Sequence, residues 1–227
     1  ATLTREEGDE LIIGTLPTYP KIEINDTAET ANGRMLIQFL DEAKLSLTEN
    51  TKVYIDKVYY DPDPSKSKMT MRMALGTARF ASGRLGMVNK NNIDITTPTA
   101  SITVRGTDFT TTIDELGRSL VVLLPDENGK PSGVIEVSNL GGTVILEEAY
   151  AATMVSSLDT PPAPKVIIQN ITPSMIDNMF IVSPPREVAQ QIEEQAQDDL
   201  DADSGLLDVD FLEFNELERD YDSYAED

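Results

Sequence analysis

The side chains that could carry chemistry in this chain are carboxylates, amines and hydroxyls, because the sequence contains neither cysteine nor histidine. Thiolate nucleophiles, Cys/His zinc sites and histidine-based catalytic triads are therefore excluded. The 40 Asp and Glu residues are numerous enough for two of them to lie at a glycosidase-like distance by chance. No such pair is set apart by its sequence context, so we predict that the chain is not an enzyme and binds no cofactor.

Carboxylates also alternate in the acidic C-terminal stretch, at Asp199, Asp201 and Asp203. This spacing matches the first three ligand positions of an EF-hand calcium loop. The register then fails, because Gly205 comes one residue late for the required glycine, and Asp210 stands where the loop needs a bidentate glutamate. We therefore expect an ordinary acidic linker here and no bound metal.

The tetrapeptide Arg-Gly-Thr-Asp at residues 105–108 joins two apolar segments. A glycine at a sharp turn gives access to backbone conformations that other residues reach only with strain. The two flanking charges can brace such a turn by pairing with each other. We therefore interpret Arg105, Gly106 and Asp108 as a structural corner rather than as a loop that displays a ligand.

Period-two patterning extends over residues 35–154 and is clearest at Lys68–Leu75, where three methionines and Leu75 alternate with polar or small residues. Turn-forming residues recur at short intervals, and no helical pattern lies between the short strands. This pattern favours a mainly β fold: a β sandwich, a roll or a short solenoid. We expect six side chains around the corner to face a common core: Ile102, Val104, Phe109, Leu120, Val122 and Leu124.

Changes in composition divide the chain into four parts. Residues 1–34 hold short β-compatible pieces separated by prolines, and we predict that they form an N-terminal edge segment. Residues 35–155 are predicted to form the β domain, and the proline-rich residues 156–165 a linker. Residues 166–227 are predicted to form an acidic helical tail.

The net charge of −22 is concentrated in residues 187–227, where 16 acidic residues face Arg219 alone, a net charge of −15. Because an acidic surface repels phosphate backbones, nucleic acid is not an expected partner. Large apolar residues recur every three or four positions in the same region, which would give a helix one apolar stripe. The stripe either packs back on the chain's own β domain or docks on a neighbouring subunit with a basic or apolar surface, and we predict the second. Its members are Leu207, Phe211, Phe214, Leu217 and Tyr221.

The longest apolar runs, such as Leu120–Leu124, are much shorter than the roughly 18 residues of a membrane span. Residues 1–10 carry four acidic residues and no apolar segment of the kind that signal peptides contain. From the sequence as it stands we expect no membrane span and no signal peptide.

Residues 97–109, TPTASITVRGTDF, resemble the most recognisable segment of the FecR-type periplasmic or extracellular β domain, which contains a run close to TP-x-A-x-I-x-V-R-G-T-x-F. The resemblance extends from about Met35 to about Met154, and Gly76–Phe80 is similar to the family's G-x-A-x-F step. It implies a FecR-like β domain that relays or builds protein contacts without catalysis.

The best-known FecR-type proteins place a cytoplasmic anti-sigma segment and a membrane span ahead of this domain, and the sequence departs from that arrangement. Similar FecR-like domains also resemble those of virion proteins in large tailed phages, and a cysteine-free chain suits assembly in a cytosol. We therefore predict a non-enzymatic virion component of a tailed phage, in its tail, neck or capsid. It is expected to be a homo-oligomer or to be present in repeated copies in the particle, and to be assembled in the host cytoplasm. The alternative is a processed envelope or secreted FecR-like binding or sensor module, located in the periplasm or outside the cell.

Overall fold

The computed structural model describes residues 1–5, 10–12, 21–61, 66–88 and 92–168. These residues are mainly β, which confirms the predicted fold class. The strands and one short helix follow in this order: β1 (Thr2–Thr4), β2 (Glu10–Ile12), β3 (Thr27–Glu29), β4 (Met35–Gln38), β5 (Lys44–Leu47), β6 (Lys52–Tyr59), β7 (Lys68–Ala81), α1 (Arg84–Val88), β8 (Ile93–Thr96), β9 (Ser101–Arg105), β10 (Asp108–Ile113), β11 (Ser119–Leu123), β12 (Val134–Ser138), β13 (Thr143–Leu146), β14 (Ala151–Val155) and β15 (Val166–Ile167).

The strands form one continuous sheet that folds into two parts sharing β7. We call the first part sheet I, with the order β2-β1-β3-β6-β7-β8-β9-β12-β13, and the second sheet II, with the order β4-β5-β7-β10-β11-β14-β15. Neighbouring strands are antiparallel except β7 and β8, which are parallel. Residues Lys68–Leu75 of β7 pair in sheet I and residues Gly76–Ala81 pair in sheet II.

The change from one sheet to the other takes place at Gly76, whose φ is 90°. A Cβ on Gly76 would lie 2.5 Å from the Cα atom of Thr51, so only glycine fits between the two segments. Before this point Met69, Met71 and Met73 are buried as expected, and after it the even-numbered residues Ala78 and Phe80 are buried. Leu75, expected on the same face as the methionines, is half-buried because the alternation shifts here.

The main hydrophobic cluster contains side chains from both sheets, including the three methionines of β7 and the predicted core residues Ile102, Val104 and Phe109. Phe109 is fully buried and packs against Phe80, with the ring centroids 6.0 Å apart and the planes tilted by 51°. Tilted aromatic pairs at this separation contribute beyond the area that they bury. The corner is thus anchored in the core by the first apolar residue of β10.

The other three residues predicted for that core lie elsewhere, so this prediction is wrong for Leu120, Val122 and Leu124. They point to the opposite face of sheet II and form a second hydrophobic cluster, whereas Val121 and Leu123 join the main cluster. After Ser119 every position of β11 is apolar, because the strand is buried on both faces. Alternation cannot assign a face to such a strand.

Residues 156–165 lie against the domain rather than forming a free linker, which corrects the predicted boundary. The Ala163 N–H donates to the Met154 carbonyl at 2.9 Å, and the Ala163 carbonyl accepts from the Thr153 hydroxyl at 2.6 Å. The chain then pairs with β14 as strand β15. The described β domain therefore continues to Ile168, and the rest of the predicted helical tail lies outside the described residues.

The N-terminal segment forms the end of sheet I, as a chain of pairs from β2 through β1 and β3 to β6. Helix α1 has five residues, so residues 35–154 contain no described helix longer than two turns. Within the part of the chain that the structure describes, no helix has the length and apolarity that crossing a membrane requires.

Candidate functional site

The corner at residues 105–108 carries the chain from sheet I to sheet II, because β9 pairs only in sheet I and β10 only in sheet II. Gly106 has a φ of 61°, in the left-handed region where glycine is favoured. A Cβ on Gly133 would lie 2.0 Å from the Gly106 carbonyl oxygen. The corner is therefore a close approach of two backbones, with no room for a ligand between them.

Arg105 and Asp108 do not pair with each other as expected. Each pairs instead with a side chain on a neighbouring strand. Arg79 donates two hydrogen bonds to the Asp108 carboxylate, at 3.0 and 2.7 Å. Arg105 donates to the Glu136 carboxylate at 2.8 Å. Both pairs are diagonal neighbours across adjacent strands, a separation that long side chains span easily.

Ser132 joins the corner to the loop after β11. Its Oγ accepts a hydrogen bond from the Asp108 N–H at 2.9 Å and donates one to the Leu124 carbonyl at 2.6 Å. It also lies 2.9 Å from the Thr107 hydroxyl. Ser132 thus engages the Thr107 hydroxyl and the Asp108 N–H within the domain. No sequence pattern points to Ser132, which is 24 residues from Asp108.

A second polar cluster lies at the start of the motif, around Thr97 and Thr99. The Thr97 hydroxyl oxygen accepts from the N–H of Ala100 at 2.9 Å and from the Ser119 hydroxyl at 2.7 Å. The Thr99 hydroxyl lies 2.8 Å from that of Ser119 and 3.1 Å from the Val155 carbonyl. These two threonines connect the entry to β9 with β11 and β14, so their role in the fold is structural.

A buried carboxylate, Asp41, holds the β4–β5 turn against α1. It accepts hydrogen bonds from the Leu85 N–H at 3.3 Å and from the Tyr60 hydroxyl at 3.0 Å. Its carbonyl accepts from the Arg84 N–H at 2.9 Å. Burial, with a smaller contribution from the Asp41 charge, raises the pKa of Tyr60 well above its usual value of 10.0.

This pKa shift makes stability depend on pH in the alkaline range. The unfolded chain loses its Tyr60 proton first as the pH rises, so the free energy of unfolding should fall above the ordinary tyrosine pKa of about 10. In Tyr60→Phe the ring stays and the ionisation disappears, so the fall should be less steep. Urea unfolding at several alkaline pH values measures both slopes, and equal slopes would contradict the assignment.

Two groups of exposed apolar side chains lie near strands at the edges of the described sheets. Leu36 and Leu40, 62% and 88% exposed, are on and just after β4, which pairs only with β5 among the described strands. Leu140 and Leu158, 81% and 51% exposed, adjoin each other beside β13, through the hydrogen bond from the Leu140 N–H to the Leu158 carbonyl. These groups are available for contact with another protein.

A shallow cavity of about 270 Å³ lies on sheet I near Tyr54. Its charges are paired locally: Arg72 stacks on the Tyr54 ring at 4.9 Å and donates to the Asp56 carboxylate at 2.9 Å. Arg5 lies 3.4 Å from the Asp26 carboxylate. The cavity therefore presents an ion-paired surface rather than a free charge for a ligand.

The predicted docking stripe and the EF-hand-like segment both lie outside the described residues. The stripe comprises Leu207, Phe211, Phe214, Leu217 and Tyr221. Among residues 1–5, 10–12, 21–61, 66–88 and 92–168, no group of three or more acidic side chains is placed to hold a metal ion. The described site is therefore a set of structural anchors around a sheet-to-sheet corner, together with exposed apolar edges.

Part of the chain is similar to known proteins. Residues 26–125 match the family model described as FecR protein. No curated protein matches the chain in sequence. Two crystal structures of a "putative anti-sigma factor" from Parabacteroides distasonis are similar, with 15% and 14% sequence identity and TM-scores of 0.48 and 0.46. Each match covers 62% of this chain and 59% of the solved one, so the chain spans about three fifths of those structures.

The family match confirms the predicted FecR-like β domain, although its limits differ from those expected at residues 35 and 154. It also corrects the predicted function. A FecR match points to a regulatory or sensor protein, so the prediction of a tailed-phage virion component is wrong, and the alternative of a sensor module is favoured.

Proposed function

We propose that this chain, whose residues 26–125 form a FecR-like domain, is a non-enzymatic binding or sensor module of the cell envelope. The family match is the observation that carries the proposal. FecR proteins are membrane-associated regulators with periplasmic domains. The domain is accordingly assigned to the periplasm or to the outside of the cell, and it acts by contact with other proteins.

The arrangement around the corner supports a role without catalysis. The charged and hydroxyl groups of the FecR-like motif are engaged inside the fold: Asp108 by Arg79, and Thr99 by Ser119. A catalytic carboxylate has to be free to exchange a proton with a substrate or to attack it. Asp108 instead accepts two hydrogen bonds from the Arg79 guanidinium group, so both of its carboxylate oxygens are engaged within the fold.

The contact with a partner is assigned to the acidic tail. Large apolar residues spaced for one face of a helix gain about 1.5–3 kcal/mol each when they leave water. A basic surface opposite residues 187–227 would offset the repulsion within a segment of net charge −15. The partner is therefore a protein with a basic face that also presents an apolar groove.

Location is tested by fractionating source cells that carry the tagged full chain. Recovery in the periplasmic, envelope or secreted fraction is expected. Recovery from the cytosol alone would contradict the assignment. Turnover of a glycan or peptide that is lost on changing one carboxylate of the β domain would overturn the non-enzymatic role.

The tail assignment predicts that Phe211→Ser with Phe214→Ser weakens partner binding. Each ring should contribute about 1.5–3 kcal/mol, which corresponds to a loss of affinity of at least about tenfold per ring. The measurement is titration of the purified full chain against the partner recovered by cross-linking in the same cells. Ile24→Ser with Leu116→Ser, which changes two exposed apolar residues of the β domain, is the matched control and should bind normally. Equal binding by both double variants would show that the tail is not the contact.

A further inference from the structure

Two Asn-Gly pairs occur in the sequence, Asn32-Gly33 and Asn128-Gly129, and both asparagines are exposed in connections between strands. Such a pair is chemically labile. Asparagine is one of the thermolabile residues. The glycine that follows it has no side chain to keep its backbone nitrogen away from the asparagine amide. The fold places the two pairs in different surroundings, so their reactivity should differ.

The first pair lies in the loop between β3 and β4, which is held at both ends. The Ala31 carbonyl accepts a hydrogen bond from the Asn50 N–H at 2.9 Å, and β4 pairs with β5 from its first residue onward. Within the described part of the chain, neither the Asn32 side chain nor the Gly33 N–H takes part in a hydrogen bond. A Cβ on Gly33 would meet nothing within 4 Å, so the pair has open space around it.

The second pair lies between β11 and β12, in a turn that is closed by hydrogen bonds. The Gly129 N–H donates to the Asp126 carbonyl at 3.0 Å, and the Asn128 N–H donates to the Asp126 carboxylate at 2.8 Å. The same carboxylate accepts a hydrogen bond from the Lys130 N–H at 2.9 Å. The Gly129 nitrogen is therefore fixed in a turn that has to open before this nitrogen can move.

We propose that Asn32 is a site of spontaneous deamidation in the folded protein, and that Asn128 is protected from the same reaction. The Gly33 nitrogen loses its proton and attacks the Asn32 Cγ, which closes a succinimide ring. The bond from Cγ to Nδ2 breaks, and this nitrogen takes up a proton and leaves as ammonia. Water then opens the ring to aspartate or isoaspartate. Overall, water is consumed and ammonia is released, so no enzyme, cofactor or oxidant is needed.

The difference between the two sites follows from the hydrogen bond of the attacking nitrogen. The nitrogen has to turn toward the asparagine side chain, and an N–H that already donates a hydrogen bond loses that bond when it turns. Gly129 has to give up its bond to Asp126, whereas Gly33 has no such bond among the described residues. Because the Asn32 side chain is exposed, its conversion should leave the domain folded and add a negative charge to this loop. The inference does not depend on the proposed function.

Peptide mass spectrometry of the purified full chain, aged in neutral buffer, measures the conversion of amide to carboxylate at both asparagines. We expect Asn32 to convert at least about fivefold faster than Asn128, the factor that corresponds to one ordinary hydrogen bond. In the chain unfolded by guanidinium chloride, the two rates should become similar. Equal rates in the folded chain, faster conversion at Asn128, or no conversion at Asn32 would overturn the proposal. So would a difference that persists unchanged in the unfolded chain.

Gly33→Ala provides an independent test. The added methyl group obstructs the approach of the backbone nitrogen to the Asn32 side chain, so conversion at Asn32 should slow several-fold. Conversion at Asn128 in the same molecule is the control and should keep its native rate. Gly33 has no positive φ and open space around it, so this variant should fold normally, which urea unfolding checks. An unchanged rate at Asn32 in the folded variant would contradict attack by the Gly33 nitrogen.

Discussion

Gly76→Ala is expected to destabilise the domain by about 3 kcal/mol or more, the sum of two separate costs. A left-handed backbone conformation costs a residue with a Cβ about 1–2 kcal/mol, and Gly76 has a φ of 90°. The new Cβ would also lie 2.5 Å from the Thr51 Cα and 2.6 Å from the Asn50 carbonyl oxygen, and such overpacking costs about 1–3 kcal/mol. Urea unfolding of the purified full chain measures the total.

Two other glycines separate these costs. Gly129 also has a positive φ, 74°, but a Cβ there would meet nothing within 4 Å, so Gly129→Ala should show the backbone cost alone. Gly33 has open space around it and no positive φ, so Gly33→Ala should have almost no effect. If Gly76→Ala is no more destabilising than Gly129→Ala, the close approach to Thr51 does not constrain the fold.

Phe109→Ala is expected to destabilise the domain by about 3–5 kcal/mol. The ring is fully buried, it packs against Phe80, and it belongs to the main cluster at the point where β10 leaves the corner. Removing it leaves a cavity that rigid strands on both sides cannot close. Leu116→Ala, at a side chain that is 78% exposed, is the control and should change stability by less than about 0.5 kcal/mol. A loss below about 1 kcal/mol for Phe109→Ala would show that the ring is not a core anchor.

The sequence predicts well those features that depend on local alternation. The methionines of β7 alternate strictly with polar or small residues, and all three are buried as expected. The glycine of the corner is also recognisable, because the turn between two apolar segments needs a backbone freedom that Gly106 supplies. The fold class follows from these two kinds of signal.

The features that depend on the pairing of distant strands could not be predicted in the same way. Arg105 pairs with Glu136 because β9 and β12 are neighbours, and nothing in the intervening residues indicates that register. Ser132 supports the corner for the same reason. The apolar run Leu120–Leu123 of β11 hides which face each side chain takes, so alternation does not separate the second cluster from the first.

The proline-rich residues 156–165 are a different case. Prolines lack the N–H group that a strand donates, which makes the segment resemble a free linker. Their carbonyl groups and those of their neighbours still accept hydrogen bonds, as Ser157 and Thr160 do from the Asn139 side chain at 2.8 and 2.6 Å. The composition of residues 156–165 therefore predicts their irregular backbone correctly. It does not reveal that this backbone is hydrogen-bonded to the β domain.

The sharing of β7 by both sheets has a consequence for how the chain folds. The strand can pair with β5 and β6 as soon as all three have left the ribosome, but the second edge of its Gly76–Ala81 half has to wait for β10, where Thr112 meets Thr77 across 35 residues. Such distant pairings carry a large loop-closure cost, and domains that depend on them fold in milliseconds to seconds. Until β10 arrives, the Gly76–Ala81 half of β7 presents an unpaired edge to the cell. The period before β10 pairs is therefore when the nascent protein is most exposed to aggregation and most in need of a chaperone.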